Sequence, residues 1–108
     1  MIPVEHFDLL KTASATGEGA SMPISSGEAL VVAVSGTFTA TIKAQGYLGG
    51  EWNDVCVVKL SDGSSAESIS ASGAYAIPCA YGFEAIRLNV TAYTSGEISA
   101  TAKLCRTN

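Results

Sequence analysis

Apolar and polar residues alternate with a period of two along much of the chain. In Thr37–Gln45, Phe38, Ala40, Ile42 and Ala44 fall on one side, and Thr37, Thr39, Thr41, Lys43 and Gln45 on the other. Ile86–Tyr93 repeats the pattern with Ile86, Leu88, Val90 and Ala92, and Glu97–Leu104 with Ile98, Ala100, Ala102 and Leu104. Successive side chains of a strand point to opposite faces, so this period predicts half-buried antiparallel strands with one dry and one wet face. Apolar spacing at i, i+3, i+4, i+7 is sustained nowhere, and the many Thr and Val residues favour the pleated state.

Turn residues divide the chain further. Ser35-Gly36 stands between Ala29–Val34 and Thr37–Gln45 and predicts a tight hairpin; Thr94-Ser95-Gly96 separates the last two strands in the same way. Gly49-Gly50 and Asp62-Gly63 mark other turns. Further strands are predicted at Val55–Leu60, Ser68–Ala71 and Gly73–Ile77, with Asp8–Thr12 and Ala20–Pro23 as shorter additions. The fold class is all-β: an antiparallel β-sandwich or jelly-roll-like body of seven to nine short strands, with an open barrel as the rival. Residues 1–7, which include Pro3, are expected to form an extended arm that the fold does not need; residues 8–108 form the single domain. Ala13–Gly19 reads as a loop and Ser61–Ser72 as a polar tract too rich in Ser to bury.

Composition narrows the function. The 108 residues include six basic and ten acidic ones, for a net charge of −4, which argues against a nucleic-acid partner that would need many cations on phosphates. Apolar residues are 47% and charged ones 15%, a balance that folds rather than stays disordered. Much of the apolar share is Ala, so a core of small side chains is expected. Uncharged runs are rich in Ser, Thr, Gly and Ala, and no membrane span is predicted. Met1–His6 lacks the cationic start and apolar stretch of a cleaved leader. Three cysteines, Cys56, Cys79 and Cys105, contain no C-x-x-C pair and read as small buried thiols in a reducing cytosol, with a Cys56–Cys79 bridge unsupported.

Candidate chemistry is sparse, and no catalytic, cofactor-binding or metal-ligating residue is assigned. His6 is the sole histidine and falls in the expected arm, where no scaffold fixes it for a triad. Glu51 and Asp54 flank Trp52, but two glycosidase carboxyls need a deep cleft between them, which so small a domain hardly supplies. The glycine-rich stretches lack the Lys and following helix of a phosphate loop. Asn89-Val90-Thr91 matches a glycosylation sequon by chance. Trp52 has two readings: an exposed platform with Tyr47 for a sugar ring, or an indole closing one end of the core, and the second is favoured. Tyr81 and Phe83 read equally as interface anchors or as a lid on the core.

The order of segments resembles small accessory structural proteins of tailed bacteriophages and prophages. The resemblance is carried by Leu9–Gly17, by Val34–Ile42, by Glu51-Trp52-Asn53-Asp54-Val55, and above all by the closing Arg87–Thr101 with its Val-Thr-Ala-Tyr-Thr-Ser-Gly. One departure is that Gly49-Gly50-Glu51 stands where such proteins often have Asp-Gly before the Trp. The resemblance implies a virion component, not an enzyme: a capsid decoration (cement) protein on the major capsid protein lattice, made in the host cytoplasm. Its partners would be the major capsid protein or other virion proteins, and its assembly a homo-trimer. Alternatives are a tail, neck or fibre protein, or a carbohydrate-binding adhesin using Trp52 and Tyr47. Expected partner contacts are Ile2, Val4, His6 and Phe7 of the arm and the aromatics Trp52, Tyr81 and Phe83.

Overall fold

A computed structural model describes residues 5–24, 28–78 and 83–106. Among these the protein is all-β, with eleven strands: β1 (Glu5–Ala13), β2 (Gly17–Glu18), β3 (Met22–Pro23), β4 (Glu28–Ser35), β5 (Phe38–Leu48), β6 (Glu51–Val55), β7 (Val57–Lys59), β8 (Ser65–Ala66), β9 (Gly73–Ala76), β10 (Ala85–Gly96) and β11 (Ile98–Arg106). Sheet A has the order β1-β11-β4-β9-β7-β8, and sheet B the order β2-β10-β5-β6 with β3 also on β10. Every strand pairing is antiparallel. The count exceeds the predicted seven to nine because β2, β6 and β8 are short or polar and carry little periodic signal.

The predicted hairpin at Ser35-Gly36 does not form. β4 belongs to sheet A and β5 to sheet B; likewise β10 lies in sheet B and β11 in sheet A. What forms instead is a two-stranded ribbon folded over on itself. Its first half pairs β4 with β11, from Glu28↔Arg106 to Ser35↔Ser99, and its second pairs β5 with β10 from Phe38↔Gly96 to Tyr47↔Ala85. The register runs unbroken through the bend, where the Glu97 N–H donates to the Thr37 carbonyl at 3.2 Å. Both strands bend there at a glycine with positive φ, 110° at Gly36 and 97° at Gly96. A Cβ on Gly36 would strike the Glu97 carbonyl, and one on Gly96 the Thr37 carbonyl, so the two backbones touch where side chains cannot fit. The Tyr93 hydroxyl donates to the Gly96 carbonyl at 2.7 Å and fastens the corner.

The inner faces of both sheets feed one core. Sheet A contributes Leu9, Leu10, Leu30, Val32, Val34, Ile98, Ala100 and Ala102, and sheet B contributes Ile42, Ala44, Ile86, Leu88 and Val90. The largest fully buried side chains are Leu, Ile and Val rather than Ala, so the core is bulkier than composition implied. Ala44, Ala100 and Ala102 are buried as well, as alternation predicted. Irregularities correct the pattern where a period of two fails. The register of β10 on β5 slips at Thr91 and again at Thr94, two bulges that leave Ala92 exposed and turn Tyr93 inward. A bulge in β1 lets the adjacent Leu9 and Leu10 both face the core.

Two further expectations change. Glu5–Phe7, assigned to a free arm, are the first residues of β1, opposite Leu104–Ala102, and Phe7 packs on the core; any arm is shorter than seven residues. Ser68–Ala71 is no strand, but Ile69 in that polar tract is buried and bridges Ile42 of sheet B by paired backbone bonds of 2.8 and 2.7 Å. One apolar residue was enough to bury part of a serine-rich stretch.

Replacing Gly96 by Ala should cost about 2–3 kcal/mol, because both its positive φ and its lack of space oppose a Cβ. Gly63→Ala, at φ 76° with open space around it, should cost only about 1 kcal/mol; urea denaturation of both variants makes the comparison. Tyr75 offers a second test. Burial raises its phenol above the usual 10.0, so the unfolded chain ionises first and its stability contribution, complete below that pH, fades as pH rises beyond it. Melting temperatures taken across this alkaline range should fall more steeply for the parent protein than for Tyr75→Phe.

Candidate functional site

The outward face of sheet B carries the richest constellation of side chains. On β5, inward Ile42, Ala44 and Gly46 alternate with outward Lys43, Gln45 and Tyr47. Gly49 and Gly50, both at positive φ (67° and 80°), make a two-residue turn that sets Tyr47 opposite Trp52 and Gln45 opposite Asp54. On the other side of β5, Arg87 lies opposite Gln45. Three neighbouring strands thus place Arg87, Gln45 and Asp54 in one cross-strand row, with Tyr47 and Trp52 beside it.

These groups are tied together. Arg87 Nε donates to Gln45 Oε1 at 2.8 Å, and Gln45 Nε2 donates to Asp54 Oδ1 at 2.8 Å. The other oxygen of Asp54 lies 3.8 Å from Lys43 Nζ, an exposed ion pair of small energetic weight. The Arg87 guanidinium sits 4.1 Å above the Trp52 ring centroid, and the Tyr47 and Trp52 rings are tilted at 54° with centroids 5.1 Å apart. The two contacts together, cation over ring and ring against ring, hold a planar cation against an aromatic surface.

Trp52 therefore does not close the core. Cross-strand pairing with Tyr47 fixes it on the outer face, half-buried among Tyr47 and Arg87. Phe83 resolves the other way: it packs against the core, and a Cβ on Gly46 would lie 2.5 Å from its ring, so it is a lid over a glycine. Phe7 is half-buried on the core. His6 stands in β1 opposite Lys103, while its side chain, together with Ile2, Val4 and Tyr81, lies outside the described residues. The predicted partner residues are not gathered on one surface: Trp52 is on the outer face of sheet B, and Phe7 and Phe83 turn to the core. Sequence reasoning missed Arg87 and Gln45. Their signal was the polar half of the β10 and β5 alternation, which has meaning only once strand partners are known.

Elsewhere, Cys56 is exposed between β6 and β7, where the chain passes from one sheet to the other, against the expectation of mostly buried thiols. Cys79 and the side chain of Cys105 lie outside the described residues. The Asp62 carboxyl is held below its usual range by the Ser64 hydroxyl and then by the Ser64 backbone N–H, which donate to it at 2.7 and 2.9 Å. Those bonds serve the β7–β8 turn. Among the described residues no group of three or more His, Cys, Asp or Glu side chains is placed to hold a metal ion.

The fold is shared with two proteins of known structure, one of them prophage-derived. The crystal structure of the SPBc2 prophage-derived protein YomS superposes with a TM-score of 0.82 at 18% identity, over 95% of this chain and 94% of that one. The crystal structure of the PBSX exported protein XepA also gives 0.82, at 25% identity, over 97% of this chain but only 39% of XepA. This chain thus spans nearly all of YomS and well under half of XepA. No family model and no curated protein matches the sequence.

Gln45→Ala should cost about 1 kcal/mol, since it strips one hydrogen bond each from Arg87 and Asp54. It should also shift the emission of the single tryptophan as the guanidinium loosens over the ring. Lys43→Ala should change stability by less than about 0.5 kcal/mol and leave that emission unchanged. Thermal melts with intrinsic fluorescence check both.

Proposed function

We propose that this chain is a non-enzymatic structural protein of a tailed phage or prophage, a two-sheet sandwich that works by adhering to other virion proteins. The observation that carries the reading is the outer face of sheet B. It presents Trp52, Tyr47 and Arg87 as one connected surface on paired strands, and Trp, Tyr and Arg are the residue types that concentrate binding energy in protein interfaces. The prophage derivation of YomS, which shares the fold, supports the phage assignment. The finer role is decoration of the major capsid protein lattice, as a homo-trimer whose repeated weak contacts add through effective concentration. A chain of net charge −4 docks more readily on protein than on packaged nucleic acid.

A second reading, a carbohydrate-binding adhesin, is favoured by the same Tyr47–Trp52 pair. It is weaker because the Arg87 guanidinium already covers a face of the indole on which a sugar ring would stack.

Purified virions labelled with an antibody against the protein test the assignment. Gold on the heads at regular density is expected. Gold on the tail or neck would move the role there, and the absence of the protein from purified particles would overturn the virion reading.

A further inference from the structure

Arg87 has more to give than the sheet uses. A guanidinium carries five N–H donors, and among the described residues only Nε has a partner, the Gln45 side chain. Two acids share this face: Asp54 is occupied by Gln45 and Lys43, and Glu18 of β2, opposite Asn89, makes no ion pair with Arg87 among the described residues. β10, β5 and β6 carry two cations, Arg87 and Lys43, of which Lys43 is ion-paired and Arg87 is not. Gln45 on one edge and the Trp52 ring beneath fix the plane of the guanidinium, so the Nη groups form a fork whose orientation is set before any ligand arrives.

We infer that the outer face of sheet B is a receptor for a carboxylate side chain of a partner protein, held by the Arg87 fork while an adjoining apolar side chain lies on Tyr47 and Trp52. This deepens the adhesion reading and rests on it. Charge decides in favour of a protein carboxylate. A planar fork matches two carboxylate oxygens, and stacking on an aromatic weakens its hydration, which lowers the cost of docking. A polyanionic surface such as nucleic acid or an anionic membrane needs several free cations in a row, and this face supplies one on a chain of net charge −4. Lys in place of Arg would keep the charge and lose both the fork and the stack.

The single tryptophan makes the test direct. The indole N–H resonance of the full chain is followed by NMR while N-acetyl-Glu-Leu amide is added to millimolar concentration. A saturable shift is expected with this peptide and not with N-acetyl-Gln-Leu amide. Arg87→Lys should weaken the response by about tenfold and Arg87→Gln should abolish it. An equal response to both peptides, or an unchanged one in Arg87→Lys, would overturn the site. So would a shift caused by inorganic phosphate or phosphatidylglycerol vesicles and not by the acidic peptide. Should Arg87→Gln disturb the backbone spectrum, Arg87→Lys alone decides. Loss of the carboxylate response with gold still on particles removes only this site; a sound response in a protein absent from particles removes only the virion role.

Discussion

Everything in this fold hangs on one contact: two backbones crossing at Gly36 and Gly96, each so close to the other's carbonyl that neither has room for a side chain. Because the crossing is tight, the ribbon formed by β4–β5 and β10–β11 bends without losing register. One half becomes the centre of sheet A and the other the centre of sheet B. The remaining strands add to edges already defined by that ribbon: β1 beside β11, β9 beside β4, β6 beside β5. Most of the core residues contributed by the sheet centres, including Val32, Ile42, Leu88 and Ala100, come from it.

Bending a ribbon buries one face of each half and leaves the opposite faces wet. Alternation then assigns chemistry: Ile42 and Ala44 go in, and Lys43, Gln45 and Tyr47 go out on the same strand. The inner set gives stability through area removed from water and close packing. The outer set is free of that duty, yet on sheet B it is ordered by its own chain of bonds from Lys43 through Asp54 and Gln45 to Arg87. A surface ordered before binding loses less side-chain freedom on docking, which suits this face to the adhesive role proposed for it.

The likeness to YomS at 18% identity follows from the same division. The fold asks for alternating apolar positions, which many residues meet, and for glycine at the few places where backbones touch. Outward positions are unconstrained by packing, so the fold leaves them free to differ from one protein to the next.

The local alternation of this sequence by itself determined that the chain is β, where its long strands run, and that Ile42, Ala44, Ile86, Leu88, Val90, Ile98, Ala100 and Ala102 are buried. Those properties arise from neighbours two residues apart. It also held the Gly-Gly turn, though the polar Glu51-Trp52-Asn53-Asp54 after it hid the strand that follows. Only the tertiary structure decided that Ser35-Gly36 and Thr94-Ser95-Gly96 are corners rather than hairpins, since each is shaped by the other, some sixty residues away. It likewise turned Trp52 outward through its pairing with Tyr47, drew Ile69 inward onto Ile42, and brought Arg87 to Gln45 across a strand pair. A period of two fixes which residues share a face; which face meets water, and what stands beside it, is fixed by partners far along the chain.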